Sequence, residues 1–285
     1  MHANLHALGA IALWASLAAL GVTLQHVPPF LLTGLALLIG SLPAWPALPG
    51  LLRQGKLPLS TLALGIYGLF GFHFLLFVSL RLAPPVQANL INYLWPLLIV
   101  VMAPLFLREL TLKPLHLVAA LLGFAGAAIA ILGGGAALAV DGGAWHWGYL
   151  LALASAFVWA SYSLLTRRVA AFPTSAIGLF GLVSGLLSLL CHVVLESTAP
   201  SFSALAPRDW LLLTLLGLGP LGAAFFLWDY ALKRGDARQI GVLSYLTPLG
   251  STALLMLVSG QPWRWSIAAA AVLIIGAALI STRAR

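Results

Sequence analysis

Three tryptophans occupy positions where this residue is unusual. Trp14, Trp95 and Trp159 each lie near the middle of a long apolar segment, whereas tryptophan in membrane proteins concentrates at the two interfaces. An indole N–H in hydrocarbon lacks a partner, and burying an unpaired polar group costs about 1–3 kcal/mol. Either each ring packs with its N–H bonded to a neighbouring carbonyl, or the rings line a partly hydrated central cavity. The second arrangement would offer flat faces on which a ligand ring could stack.

Further polar residues fall inside the same kind of segment. Asn89, Asn92 and Tyr93 share one helix face at i, i+3 and i+4, and a polar face on an apolar helix should point away from lipid. Interhelical hydrogen bonding alone would explain them, and so would a binding site. The candidate binding residues are Trp14, His73, Phe77, Asn89, Asn92, Tyr93, Trp95, Trp159, Tyr162, Ser244, Tyr245 and Thr247.

Two ionisable side chains lie inside apolar segments and could act in binding or gating. His73 is flanked by phenylalanines, among them Phe77, and ionisable residues at membrane depth usually face a cavity. His73 could bind a carboxylate or exchange a proton, because histidine changes charge near neutral pH. A neutral ring bonded to a backbone carbonyl is the simpler alternative. Asp229 is followed by Lys233 at i+4, which indicates either a local ion pair or a gating residue.

Two prolines predict bends inside helices. Pro96 and Pro248 lie within one turn of the polar groups, and each removes a backbone donor. The carbonyls of residues 92 and 244 would thereby become available to a ligand or to water. The candidate gating or hinge residues are Pro96, Pro248 and Asp229.

The composition indicates which elements must position these residues. Of 285 residues, 62% are hydrophobic and 7% are charged, whereas a soluble domain carries about 25% charged residues. About 20 apolar residues cross the hydrocarbon core as a helix, so the length allows ten spans and no sizeable soluble domain. We expect an all-α integral membrane protein with spans at about 4–22, 28–48, 58–80, 85–106, 114–134, 147–166, 174–195, 209–232, 238–259 and 264–282.

The basic residues predict the orientation of these spans. With a cytoplasmic N-terminus, eleven of the 14 Lys and Arg residues fall in inside loops and three in outside loops. Cytoplasmic loops carry such an excess. We therefore expect both termini in the cytoplasm, and the net charge of +8 reflects topology and gives no reason to expect nucleic-acid binding.

The chain contains an internal repeat. A shift of 145 residues places Trp14-Ala15-Ser16 on Trp159-Ala160-Ser161, and a shift of 152 places Tyr93-Leu94-Trp95-Pro96-Leu97 on Tyr245-Leu246-Thr247-Pro248-Leu249. We expect two five-helix repeats, 1–137 and 138–285. Because five is odd, the repeats must cross the membrane in opposite senses around a central cavity, as in many secondary transporters. A duplication within a membrane enzyme is the alternative.

These features together resemble a known family. Ten spans in two halves, an Ala-Leu-Lys end of span eight and the Tyr-Leu-x-Pro-Leu segments resemble the EamA type of the drug/metabolite transporter superfamily. Asn92-Tyr93-Leu94-Trp95-Pro96-Leu97 with Trp159-Ala160-Ser161-Tyr162 resembles the bacterial aromatic amino acid exporters. The resemblance implies export across the bacterial inner membrane by alternating access, without ATP hydrolysis by the chain and without a cofactor.

The absent motifs narrow the function. The sequence has no metal-ligand spacing, no phosphate-binding lysine motif, and no acidic residue in span one. An uncharged aromatic cavity suits a zwitterionic amino acid, with protons as a candidate coupling ion. Efflux of drugs or other metabolites is the alternative transport function, because aromatic faces also bind flat cations. A membrane enzyme acting on lipid would need acid–base groups, and only His73 and Asp229 are available at depth.

Overall fold

Ten helices long and apolar enough to cross a membrane make up the described part of the chain. The computed structural model describes residues 2–53, 57–133, 146–169, 171–196, 202–260 and 264–284, and none of these lies in a β-strand. The predicted all-α fold is confirmed, with boundaries within three residues of the expected ones. Numbered α1 to α10 in chain order, the spans are His2–Thr23, Pro29–Leu51, Leu59–Leu82, Pro85–Phe106, Pro114–Gly133, Trp147–Leu165, Ala176–Leu195, Pro207–Arg234, Ala237–Val258 and Trp265–Arg283.

Helices α4 and α9 are both interrupted just before their predicted bend. The prolines Pro96 and Pro248 follow these interruptions, and a proline ring clashes with the carbonyl of residue i−4 as well as lacking an N–H. The first segment of α4 ends at Asn92, and Tyr93 caps it with its N–H still bonded to the carbonyl oxygen of Asn89 at 3.0 Å. The helical segments are Pro85–Asn92 and Trp95–Phe106 in α4, and Ala237–Leu243 and Leu246–Ser259 in α9.

Helices α3 and α8 each contain one widened turn. Tyr67–Gly71 and Gly219–Ala223 are π-helical, and their residue numbers differ by 152, the offset at which the sequence repeats. The helical segments that follow, Phe72–Leu82 and Ala224–Arg234, keep the same offset. Single π-helical turns inside α-helices occur often at functional sites. The repeat is therefore present in local backbone structure as well as in sequence.

The helices pack as two groups of four with two further helices beside them. One group is α1, α2, α8 and α9, and the other is α3, α4, α6 and α7, while α5 packs chiefly against α10. The two groups are joined by an extensive contact between α2 and α7 and by a second contact between α4 and α9. Exchanging the first five helices for the last five converts the pair α1·α8 into α6·α3, α1·α9 into α6·α4, and α2·α8 into α7·α3, and all of these pairs are in contact. This packing fits the predicted repeat, while its inverted orientation stays a prediction. The predicted boundary at residues 137 and 138 lies outside the described residues.

Glycines let the helices approach closely around the middle of the molecule. A Cβ atom on Gly68, in the π-helical turn of α3, would lie 2.2 Å from the ring of Tyr162 on α6. A Cβ atom on Gly40 of α2 would lie 2.6 Å from the carbonyl oxygen of Gly217 on α8. Contacts this short leave no room for a side chain, so glycine at these positions allows α3 to pack on α6 and α2 to pack on α8.

Candidate functional site

Four tryptophans from four helices meet between the two helix groups. Trp14 of α1 and Trp228 of α8 come from one group, and Trp95 of α4 and Trp159 of α6 come from the other. All four are buried. The ring centroid of Trp14 lies 6.4 Å from that of Trp95, 5.7 Å from that of Trp159 and 5.1 Å from that of Trp228. We call these four residues the tryptophan cluster.

Further aromatic rings surround the tryptophan cluster. Phe225 of α8 lies 6.0 Å from Trp14 and 5.6 Å from Trp159, between ring centroids. Tyr162 and Phe72 each lie 5.4 Å from Trp159. His73 continues the set through Phe225, at 6.2 Å, and Phe77, at 6.0 Å. The predicted residues that the structure brings together in this ring network are Trp14, His73, Phe77, Trp95, Trp159 and Tyr162.

The indole N–H groups of the cluster differ in their partners. Trp14 Nε1 donates to the carbonyl oxygen of Pro220 at 3.0 Å, and Trp228 Nε1 donates to Ser163 Oγ at 3.1 Å. Trp95 and Trp159 donate to no described residue. Two hydrogen-bond donors therefore lie in a buried aromatic environment without a partner of their own, and an anionic ligand group could accept from them.

His73 is held in one orientation by the backbone of α3. Its Nδ1 lies 2.7 Å from the carbonyl oxygen of Leu69, in the π-helical turn. A carbonyl can only accept, so Nδ1 carries the hydrogen and, in the neutral ring, Nε2 is an acceptor. This is the simpler of the two arrangements expected from the sequence. The ring nevertheless borders the cluster, where Nε2 can accept from a ligand.

Asn92 belongs to a polar contact between three helices. Ser155 Oγ of α6 lies 3.1 Å from Asn92 Oδ1 of α4 and 3.1 Å from the carbonyl oxygen of Phe72 of α3. Asn89, one turn earlier, is half-buried. This is the interhelical hydrogen bonding that the sequence allowed as an alternative, and it positions α4 and α6 beside the tryptophan cluster.

Several predicted residues lie away from the cluster. Tyr245 is fully buried against α5, where a Cβ atom on Gly123 would lie 2.3 Å from its ring and where Phe124 is 6.4 Å away between centroids. Ser244 Oγ donates to Gly241 of its own helix at 2.6 Å, and Thr247 is buried. The ring of Tyr245 therefore packs on α5, and it makes no ring contact with the tryptophan cluster.

Tyr93 is also outside the ring network. It is half-buried and follows the last residue of the first α4 segment. Among the described residues, Trp228 and Phe225, which were not among the predicted site residues, make ring contacts within the cluster, whereas Tyr93 and Tyr245 do not. Trp228 was not predicted from the sequence, because the repeat offset of 152 residues places it on a leucine and not on an aromatic residue. Its position within the eighth span, next to Asp229, could have indicated that it belongs to the site.

Asp229 joins α8 to the segment that precedes α7, beside the tryptophan cluster. Its Oδ2 accepts from Lys233 Nζ at 2.8 Å and from Thr174 Oγ1 at 3.0 Å. Lys233 Nζ also donates to the carbonyl oxygen of Phe172 at 3.1 Å and lies 3.5 Å from the centroid of that ring. The expected i, i+4 ion pair is therefore present, and it also attaches α8 to the residues that precede α7. We call Asp229, Lys233, Phe172 and Thr174 the Asp229 cluster.

The EamA-like transporter family matches nearly the whole chain, over residues 1–132 and 146–283. The chain belongs to this family. As an EamA transporter it is a multi-pass membrane protein, and its two matched segments correspond to the two sets of five helices. The resemblance inferred from the sequence motifs is confirmed.

Known relatives of this EamA transporter carry a more specific description. The aromatic amino acid exporter YddG of Ancylobacter novellus is 41% identical over 281 residues, which cover 96% of this chain and 94% of that protein. The aromatic amino acid exporter YddG of Salmonella typhimurium is 30% identical over 212 residues, covering 70% of this chain and 69% of that protein. A solved crystal structure of a protein superposes with a TM-score of 0.87 at 39% identity and covers 99% of this chain and 98% of that one.

Proposed function

We propose that this EamA transporter exports aromatic and other neutral amino acids from the cytoplasm by alternating access. The observation that carries the proposal is the tryptophan cluster, which lies between the two helix groups with two indole N–H donors unpaired. The names of the relatives described above, aromatic amino acid exporters, support the same substrate class. The site consists mainly of aromatic side chains, and transport of a bound substrate needs no catalytic group.

The chemistry of the cluster fits a zwitterion with an aromatic side chain. The N–H groups of Trp95 and Trp159 can donate to the carboxylate of an amino acid, and Nε2 of His73 can accept from its ammonium group. A substrate ring would stack on the indole faces, and each such aromatic contact contributes about 0.5–1.5 kcal/mol beyond burial of area. Binding would require the present ring contacts to open by the width of one ring.

The proposed direction of transport rests on the orientation of the chain. The excess of Lys and Arg in alternate loops supports cytoplasmic N- and C-termini and insertion in a bacterial inner membrane. The exchange of helix pairs between the repeats supports the inverted arrangement on which alternating access depends. We assign no ATP hydrolysis and no cofactor to the chain, and we propose protons as the coupling ion to be tested first.

Counterflow in proteoliposomes tests the proposal directly. Vesicles loaded with unlabelled phenylalanine should accumulate labelled phenylalanine and tryptophan, and an imposed pH gradient in a second arm should change the rate if protons are coupled. Trp159→Ala should reduce the counterflow, and Trp45→Ala is a matched control because its ring is 45% exposed and its N–H bonds to Ser41. Counterflow of aromatic cations without counterflow of amino acids would favour drug efflux and overturn the proposal.

A further inference from the structure

A second buried carboxylate, Glu196, joins helices at the end of the helix bundle opposite to the Asp229 cluster. Glu196 directly follows α7, and its side chain is 1% exposed. Its Oε1 accepts from Arg81 of α3 and from the backbone N–H of Phe30, at 3.3 Å, at the start of α2. Its Oε2 lies 2.9 Å from His192 Nδ1, one turn earlier on α7. We call Glu196, Arg81, His192 and Phe30 the Glu196 cluster.

The two clusters are related through the repeat. Arg81 and Lys233 differ by the repeat offset of 152 residues, and each cation lies over a phenylalanine ring of its own repeat. Arg81 Cζ is 5.6 Å from the ring centroid of Phe30, and Lys233 Nζ is 3.5 Å from that of Phe172. In the ten-span topology α3 and α8 run in opposite directions, so one cluster lies at the outer end of the molecule and the other at the inner end.

The carboxylates make the two clusters different. Asp229 lies on the same helix as its cation, four residues earlier, whereas Glu196 comes from α7 and reaches a cation on α3 and an N–H on α2. The contact with Phe30 joins the two helix groups, because α2 belongs to one and α7 to the other. Because Glu196 holds both α2, through Phe30, and α3, through Arg81, separation of α2 from α3 at this end would break one of these two bonds.

A chain of rings connects the Glu196 cluster to the tryptophan cluster. The centroid of Phe77 lies 5.9 Å from that of Phe30 and 6.0 Å from that of His73, which in turn borders Phe225. A substrate leaving the tryptophan cluster towards the outside would pass between these rings. Separation of α2 from α3 would open the same passage.

We propose that Glu196 is the outer gating residue of the transport cycle and that the Asp229 cluster is its inner counterpart. The outward direction of substrate release rests on the proposed export function, whereas the labelling experiment below does not depend on it. Both clusters are intact in the structure, with the tryptophan cluster between them. In the cycle, Glu196 loses its bond to Phe30 or to Arg81 when the substrate is released outward between α2 and α3, and the Asp229 cluster holds the inner end closed at that stage.

Accessibility of a single cysteine at Phe77 tests the gate. The chain has one native cysteine, Cys191, so Phe77→Cys in a Cys191→Ser background gives one reporter site on the proposed outer passage. We expect Glu196→Gln to raise its rate of reaction with a membrane-impermeant thiol reagent, added outside intact cells, by at least about fivefold, the lower end of typical coupling between sites. Glu109→Gln is the matched control, because it neutralises a carboxylate that is 59% exposed.

Two further variants keep the test decisive if Glu196→Gln folds poorly. Arg81→Met should raise the labelling rate by less than Glu196→Gln, because the contacts of Glu196 with Phe30 and His192 remain. The double variant should label no faster than Glu196→Gln alone, since both changes break the same cluster. Unchanged labelling in folded Arg81→Met and Glu196→Gln proteins, or a rise only from the cytoplasmic side, would overturn the assignment.

The outcome can be separated from that of the proposed function. If the wild-type protein shows no amino acid counterflow but Glu196→Gln increases outside labelling, the gate stands and the substrate proposal fails. If the wild-type protein transports phenylalanine and labelling does not respond to Glu196, the substrate proposal stands and the gate fails.

Discussion

Trp14 of α1 donates a hydrogen bond from Nε1 to the carbonyl oxygen of Pro220, 3.0 Å away in α8. The acceptor lies in the π-helical turn Gly219–Ala223, where the helix is widened around a proline. The bond orients the Trp14 ring so that it contacts all three other members of the tryptophan cluster. The widened turn of α8 thus has a direct role in positioning the candidate binding site.

Removal of this bond should destabilise the protein. Trp14→Phe keeps an aromatic ring but leaves the buried Pro220 carbonyl without its donor, a change that costs about 1–3 kcal/mol. We expect a lower midpoint of thermal unfolding in detergent, and a similar decrease for Trp228→Phe, which loses its bond to Ser163. Trp45→Phe is the control at an exposed site. Equal midpoints for Trp14→Phe and Trp45→Phe would contradict the structural role of the bond.

Substitution of the unpaired tryptophans should affect transport of aromatic substrates. Trp95→Ala and Trp159→Ala each remove a ring face and a free N–H, and aromatic contacts of about 0.5–1.5 kcal/mol predict a threefold to tenfold decrease in phenylalanine and tryptophan transport. Transport is measured in proteoliposomes at matched protein content. Unaltered aromatic transport by both folded variants would reject the tryptophan cluster as the binding site.

Substitution of His73 should alter the pH dependence of transport. Histidine gains or loses a proton near neutral pH, whereas glutamine has no side-chain group that titrates. We expect His73→Gln to flatten the dependence of transport rate on pH while phenylalanine affinity stays within about threefold, a difference of less than 1 kcal/mol. Initial rates are compared between pH 5.5 and 8. A variant with the wild-type pH profile would exclude His73 from proton exchange.

The loop between α8 and α9 contains a carboxylate whose ionisation should stabilise the fold. Burial alone would raise the pKa of Asp236, but hydrogen bonds from the side chain and backbone of Arg238 outweigh it and hold the pKa below its usual value of 3.8. A lowered folded-state pKa means that the stabilisation is complete at neutral pH and is lost as the pH falls through the folded-state value. Asp236 also caps α9, by accepting from the Arg238 N–H at 2.9 Å.

Asp236→Asn should therefore lower stability at neutral pH by about 1 kcal/mol, within the range for loss of a capping and ion-pair contact. The difference from wild type should stay constant as the pH falls towards 3.8 and shrink below it. Thermal unfolding at a series of pH values measures this, with the exposed Glu109→Gln as control. A stability difference that grows in acid would contradict the assigned direction.

The orientation of the chain can be tested with reporter fusions. Fusions after the C-terminus should report the cytoplasmic side, and fusions at Asp141, which lies outside the described residues, should report the opposite side. The expected result follows from the eleven-to-three distribution of Lys and Arg between alternate loops. The same side for both fusions would contradict the ten-span topology.

Much of the fold could be predicted from the sequence because the relevant signals are local. Runs of apolar residues predict the spans, and the clash of a proline ring with the preceding turn predicts the interruptions before Pro96 and Pro248. The repeat offset of 152 also predicted where α3 and α8 correspond, and the π-helical turns at Tyr67–Gly71 and Gly219–Ala223 follow it. The spans and the proline interruptions depend on short stretches of chain in a hydrocarbon environment, whereas the repeat is found by comparing the two halves of the sequence.

The membership of the candidate site was decided by tertiary structure. Sequence position near the midplane selected Trp14, Trp95 and Trp159, which do meet, but also Tyr245, which packs on α5, and it passed over Trp228. Depth in the membrane follows from residue count along a helix, whereas the direction of a side chain depends on how that helix is rotated. That rotation depends on contacts with helices that are distant in sequence, such as the close approach of Tyr162 to Gly68 and of Tyr245 to Gly123.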